Sequence, residues 1–192
     1  MITGLVLAAG LGSRYRAMTG QDKLSSPIPP SWPGEGTPVI LATIAALATR
    51  LDQIVTFVRP DNDALIHLLK HHGHPYMEIQ SNGLGQTLAQ AVEQIPATTG
   101  WMVTLGDMPF IRPETVATLA DGMKAETIIA PFCQGRTGHP VGFGCAFRSE
   151  LLGLSGDKGG RSLFQMHPPT LIQTDDVGTI TDIDGILGLT NP

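Results

Sequence analysis

The sequence predicts an α/β fold built as one doubly wound, mostly parallel sheet. Short apolar runs alternate with amphipathic or alanine-rich segments along the whole chain, the pattern of repeated strand–helix units. Several of the runs lack the polar alternation of a half-exposed strand, as expected of strands covered on both faces. Glycine and proline, 23 and 15 residues, gather at the ends of the runs, where connections belong. Strand–helix–strand units of this kind cross over right-handedly, so the loops that follow the strands line one edge of the sheet.

Ile2 to Ala8 is the first strand and ends in Gly10 and Gly12. Four prolines between Ser25 and Gly36 remove donors and fix φ, so that stretch is irregular and reads as a surface flap near the first loop. Thr37-Pro38 has the form of an N-cap followed by proline at N1, opening a helix that runs to about Thr49. Ile54 to Val58 is the second strand, Asp61 the cap of a helix over 62–72, and Gly73 the glycine that ends it. Met77 to Gln80 is a weak strand, 86–95 a helix, Trp101 to Leu105 a strong strand, and 113–124 a helix with Pro113 at N1. Strands over 127–131 and 141–147 and helical segments near 148–154 and 161–167 complete the series.

Composition narrows the function classes. A chain of 192 residues without an internal linker or repeat fits a single domain, 1–192. Twelve basic against seventeen acidic residues give a net charge of −5, and no Lys/Arg run offers a footprint for nucleic acid. No stretch approaches the roughly 18 apolar residues of a membrane span, and the N-terminus lacks the basic region of a secretory leader. Cys133 and Cys145 cannot make a disulfide framework and lack C-x-x-C spacing, so they read as small buried hydrophobes in a reducing, cytoplasmic setting. A monomer and a homodimer are both compatible with this composition.

Chemistry concentrates after the strands. Leu7-Ala8-Ala9-Gly10-Leu11-Gly12-Ser13-Arg14 sits at the carboxyl end of the first strand, where small residues let backbone N–H groups approach a phosphate chain and Arg14 or Arg16 supplies charge. It is not a dinucleotide fingerprint, because Tyr15 takes the third glycine position and no acid closes the second strand at Val58-Arg59-Pro60. A P-loop is also absent. Lys23, just beyond, is a point charge suited to a triphosphate. Leu105-Gly106-Asp107-Met108-Pro109 places an aspartate at the tip of a buried strand, a Mg²⁺ ligand that calls for a second acid. Asp182-Ile183-Asp184 offers one, with both side chains on one face if the segment is extended. His67, His71, His72 and His74 read as a polar helix end. Trp32 and Trp101 lack the aromatic interleaving of a nucleic-acid platform.

Taken in order, L-A-A-G-x-G-S-R at 7–14, Lys23-Leu24, Gly83-Leu84-Gly85-Gln86-Thr87-Leu88, Gly106-Asp107-Met108-Pro109, Gly138-His139-Pro140-Val141, Gly156-Asp157-Lys158-Gly159-Gly160-Arg161 and Asp182-Ile183-Asp184 resemble the MobA-like NTP transferases, nearest to molybdenum cofactor cytidylyltransferases. The resemblance spans nearly the whole chain. It implies a Rossmann-like fold of the nucleotide-diphospho-sugar transferase type and transfer of a nucleotidyl group from an NTP to a phosphorylated acceptor, releasing pyrophosphate. Ala9 in L-A-A-G favours CTP over GTP, and the implied acceptor is molybdopterin, with a recipient molybdoenzyme as a further partner. The implied cofactor is Mg²⁺ or Mn²⁺ on Asp107, Asp182 and Asp184. Lys23, Asp107 and Arg14 are the implied catalytic groups. Leu7, Ala8, Ala9, Gly10, Gly12 and Ser13, joined by Asn82, Gly83 and Gly85, would hold the nucleotide. Thr87, His139, Asp157 and Arg161 would meet the acceptor; without the resemblance the last two read as a solvated loop.

The pattern departs in two places. Tyr15 to Thr19 lengthen the spacing between Arg14 and Lys23, leaving Arg14 and Arg16 as alternatives, and Gly185-Ile186 replace the acidic motif that normally follows D-I-D, leaving Asp182 and Asp184 as alternatives. An ionised acceptor phosphate needs no general base, so alignment and charge neutralisation suffice for the chemistry. Two alternatives share the same residues: a sugar-phosphate or related small-molecule nucleotidyltransferase, and a non-catalytic nucleotide-binding module that delivers molybdenum cofactor.

Overall fold

The computed structural model describes residues 1–186, with Arg14, Gly185 and Ile186 described by backbone alone. In chain order the elements are β1 (Ile2–Ala8), α1 (Ser13–Thr19), α2 (Val39–Ala48), β2 (Gln53–Val58), α3 (Asp63–His71), β3 (Tyr76–Glu78), α4 (Leu84–Gln94) and β4 (Gly100–Leu105). They continue with α5 (Pro113–Gly122), β5 (Ile128–Cys133), β6 (Arg136–Thr137), β7 (Val141–Gly144), α6 (Arg148–Leu152), β8 (Thr170–Gln173) and α7 (Ile183–Ile186). Short 3₁₀ segments occupy Cys145–Phe147, Gly160–Gln165 and Val177–Ile180.

The eight strands form one sheet in the order β3-β2-β1-β4-β7-β5-β6, with β8 joined to β5. β3, β2, β1 and β4 run parallel, as do β5 and β8; β7 is antiparallel to both β4 and β5, and β6 turns back on β5. Burial follows from strand alternation. Val6 and Ala8 enter one core with Ile40 and Leu47 of α2, Leu65 and Leu69 of α3, and Val116 and Leu119 of α5. Leu5 and Leu7 enter the other with Leu88 and Val92 of α4 and Leu151 of α6. Helices on both faces explain why β1 reads as continuous apolar sequence.

Some boundaries differ from expectation. Pro38 itself occupies the cap position of α2, and Thr37 instead donates its N–H to the Gly34 carbonyl at 2.9 Å. Asn62, not Asp61, caps α3: its side chain accepts from the Leu65 N–H, while Asp61 pairs with Arg59. The strand expected through Phe147 stops at Gly144, because its partner β4 begins at Gly100. Beyond that point the Cys145 N–H donates to the Thr99 carbonyl at 2.9 Å, which leaves Cys145 only partly buried while Cys133 is fully buried. Pro27 and Pro38 bridge the base of the irregular 25–36 segment, and Trp32 lies tilted on Phe110, with ring centroids 5.5 Å apart. No helix among the described residues is long and apolar enough to cross a membrane.

Candidate functional site

Because β1, β2, β3 and β4 are parallel, the loops that follow them meet at one edge of the sheet and line a cavity of about 810 Å³. The loop after β1 reaches α1 through Gly12, whose left-handed φ of 55° suits glycine. Gly20, at φ 73°, ends α1 and turns the chain into the segment that carries Lys23. Asp22 pins that segment: its carboxylate accepts from the Ser25 N–H at 2.8 Å, the Ser25 hydroxyl at 2.9 Å and the Asn62 side-chain amide at 2.8 Å. Arg16, half exposed, stands 3.7 Å from the same carboxylate.

So held, Lys23 places its Nζ 2.7 Å from Asp107 Oδ2 and 3.1 Å from Asp184 Oδ2. Burial opposes the charge on Lys23, but the contacts with Asp107 and then Asp184 outweigh it and raise its pKa above the ordinary lysine value. Asp107 is fixed from behind. The Gly106 N–H donates to the Leu7 carbonyl at 3.0 Å, the Thr43 hydroxyl donates to the Gly106 carbonyl at 3.0 Å, and a Cβ on Gly106 would crowd Ile40, Ala8 and Leu24. The Ile183 N–H donates to the Asp107 carbonyl at 3.0 Å, which brings Asp184 alongside.

The alternation expected of Asp182-Ile183-Asp184 is not observed. α7 starts at Ile183, so the 182–184 stretch is not extended; Asp184 joins Asp107 on Lys23, and Asp182 lines a neighbouring cavity. Accordingly, no group of three or more His, Cys, Asp or Glu is arranged for a metal among the described residues. The two-acid pair nevertheless suits a divalent cation: Oδ1 of both Asp107 and Asp184 is buried without a hydrogen-bond partner, while each Oδ2 is neutralised by an ammonium.

The first cavity collects Leu7, Ala8, Ala9, Gly10, Gly12, Lys23, Asn82, Gly83 and Asp107. Ser13 lies exposed outside it at the start of α1. Gly85 is also outside, buried with its N–H on the Gly156 carbonyl at 2.9 Å, where a Cβ would strike the 155–158 backbone. The side chain of Arg14 lies outside the described residues. Thr87 faces this first cavity rather than the acceptor side, because its hydroxyl bonds Ser81 and the Gly83 carbonyl. Asp22, Arg59, Asp61, Gln80 and Ser81 add polar groups to the lining and were missed as site residues from sequence. The rule that points to Asp107, a polar residue just past a buried strand, applies equally to Arg59 after β2.

A second cavity, about 620 Å³, shares Leu7, Leu84, Leu105 and Asp157 with the first. Leu88, Val103, Met108 and Phe143 give it an apolar wall, and Arg136, Lys158 and Arg161 give it positive charge. Arg161 donates to the Thr137 carbonyl at 2.6 Å; burial and then the neighbouring Arg136 lower its pKa. His139 lines this cavity with its N–H on the Thr179 carbonyl at 2.8 Å and its Nδ1 buried without a partner. Burial, reinforced by Arg161 and opposed by a hydrogen bond with the Val103 backbone, drops its pKa from 6.5 to about 4, so the ring is neutral near pH 7.

A family model described as the MobA-like NTP transferase domain matches residues 4–172. Among solved structures, Rv0371c from Mycobacterium tuberculosis H37Rv superposes with a TM-score of 0.78 at 28% identity, over 98% of this chain and 96% of that one. A structure of the same mycobacterial protein in complex with manganese gives a TM-score of 0.74 at 24% identity, over 98% and 97% of the two chains, a likeness of fold. A curated relative, the bifunctional protein GlmU of Halorhodospira halophila, is 28% identical over 150 residues; the match takes in 76% of this chain but only 28% of that protein's length.

Proposed function

The chain belongs to the MobA-like NTP transferase family, and we propose that it transfers CMP from CTP to a phosphorylated acceptor, molybdopterin, releasing pyrophosphate. The observation that carries the reading is Lys23 set between Asp107 and Asp184 at the rim of a glycine-lined cavity. In the reaction a phosphate oxygen of the acceptor attacks the α-phosphorus of the NTP. A P–O bond forms, the bond to the bridging oxygen of the β-phosphate breaks, and pyrophosphate leaves with the electron pair. An ionised phosphate brings its own nucleophile, so the protein's task is to align two anions and offset their repulsion.

Gly10 and Gly12 leave backbone of the 9–12 loop open to a polyphosphate, and Lys23 supplies a compact positive charge in the same cavity. Asp22 and Asn62 fix the segment that aims Lys23. Arg136, Lys158 and Arg161 attract an acceptor phosphate, and the apolar wall accommodates its ring system. His139, neutral near pH 7 and with its hydrogen bond to the Val103 backbone, lines this cavity without adding charge. Asp107 and Asp184 would hold Mg²⁺ or Mn²⁺, and a cation bound there polarises the phosphoryl oxygens; the manganese complex of the mycobacterial neighbour supports this assignment. Arg14 and Ser13 extend the nucleotide side in this reading, and Asp157 stands between the two cavities. The Leu7-Ala8-Ala9-Gly10 loop supports CTP as the donor.

Pyrophosphate release measured with molybdopterin and each of CTP, GTP and ATP, with and without Mg²⁺, tests the reading. Asp107→Asn should abolish release, a loss of about 10² or more, while leaving the circular dichroism spectrum and melting temperature near those of the parent. Release at the parent rate would remove Asp107 from the chemistry.

A further inference from the structure

We infer that Lys23 is a built-in cation that occupies the Asp107–Asp184 pair and keeps free divalent metal off it until a nucleotide arrives. The inference rests on the reading of the glycine-lined cavity as the NTP site. One ammonium touches one oxygen of each acid, at 2.7 and 3.1 Å, and the second oxygen of each is buried and unpartnered. Two carboxylates held together in a partly buried site repel one another, and a cation between them offsets that repulsion. Lys23 fills that place in the nucleotide-free protein.

The three groups differ in how firmly they are fixed. Asp107 is locked through Gly106 to Leu7 and Thr43, and Asp184 follows Asp107 through the Ile183 N–H. The backbone around Lys23 is anchored by Asp22, on Ser25 and on the Asn62 side chain. What can move is the four-carbon stem of the lysine itself. A metal ion arriving alone meets the positive charge of the ammonium that both acids already hold, and pushing that ammonium aside costs it both contacts. A metal arriving with a polyphosphate brings the anion that Lys23 turns to, because Lys23 itself lines the cavity read as the NTP site. Metal and nucleotide therefore bind with positive coupling, each improving the site for the other.

The test uses Mn²⁺ alone, titrated into nucleotide-free protein and followed by the electron paramagnetic resonance signal of the free ion. Lys23→Met should bind Mn²⁺ on the order of tenfold more tightly than the parent, the scale on which one contacting charge shifts a carboxylate equilibrium. Adding Asp184→Asn to Lys23→Met should cancel the gain. A folded Lys23→Met that binds Mn²⁺ no more tightly than the parent overturns the inference, and so does a gain that survives Asp184→Asn. If Lys23→Met does not fold, Lys23→Gln makes the same comparison with the same two outcomes. Turnover enters none of these readouts: loss of pyrophosphate release in the parent would sink the functional reading, whereas the Mn²⁺ titration decides the role of Lys23 independently.

Discussion

Acidification should destabilise the protein through His139, and the size of the effect can be worked out. In the unfolded chain this imidazole takes up a proton near pH 6.5; in the folded protein it resists until about 4. Its folded pKa is depressed, so the unfolded state binds the proton first as pH falls, and stability drops between those two values and levels off below them. Linkage with these values gives a loss of about 2 kcal/mol between pH 7 and pH 5. With a urea dependence of about 2 kcal/mol per molar, the unfolding midpoint should fall by about 1 M over that interval. The measurement is a set of urea titrations followed by circular dichroism at closely spaced pH values, on the parent and on His139→Gln. Carboxylates contribute alike to both proteins, so the difference isolates His139, and the variant's profile should be flatter by that amount. Parallel profiles would mean that the imidazole is hydrated or already charged in the folded protein, and the burial reasoning would fail.

Asp176 is 2% exposed and accepts from the Arg112 N–H at 2.9 Å, the Thr115 hydroxyl at 2.7 Å and the Gly178 N–H at 3.0 Å. Asp176→Ala leaves these donors unpaired and should cost about 3 kcal/mol or more in urea unfolding, with Asp176→Asn recovering part of it; a cost below about 1 kcal/mol would show that water replaces the carboxylate. Ala9 is buried in the rim of the first cavity, and Ala9→Gly should shift the ratio of CTP to GTP turnover toward GTP. An unchanged ratio in competition assays would assign base choice to other lining groups.

Much of this edge was legible because buried parallel strands write themselves as unbroken apolar runs and leave polar residues at their tips. Asp107 and the 7–12 loop follow from that rule alone. Lys23 needed its separation from the glycine loop to be overlooked: α1, an extra helical excursion, brings it back, and no apolar periodicity in SRYRAMT announced that helix. Asp22 and Asn62 escaped notice because their work is local hydrogen bonding, which composition does not reveal. In the sequence Arg59 is only part of a strand end that lacks a closing acid, although it stands just past β2 and lines the cavity. β8 was missed because three of its four residues are exposed and it sits at the side of β5 with little core of its own. The C-terminal acids stay alternatives in the sequence, Asp182 or Asp184, for a different reason. Two residues in alternation look alike whether extended or at a helix start, and the hydrogen bond from Ile183 to Asp107, a long-range contact, decides between them.

Lys23 and Asp184 are 161 positions apart in the chain. A nascent polypeptide emerging from the ribosome would carry the glycine loop, the lysine and the first acid long before the second acid is made. The two-acid grip on Lys23 therefore closes only when the last short helix docks against the tip of the central strand, through the bond from the Ile183 N–H to the Asp107 carbonyl.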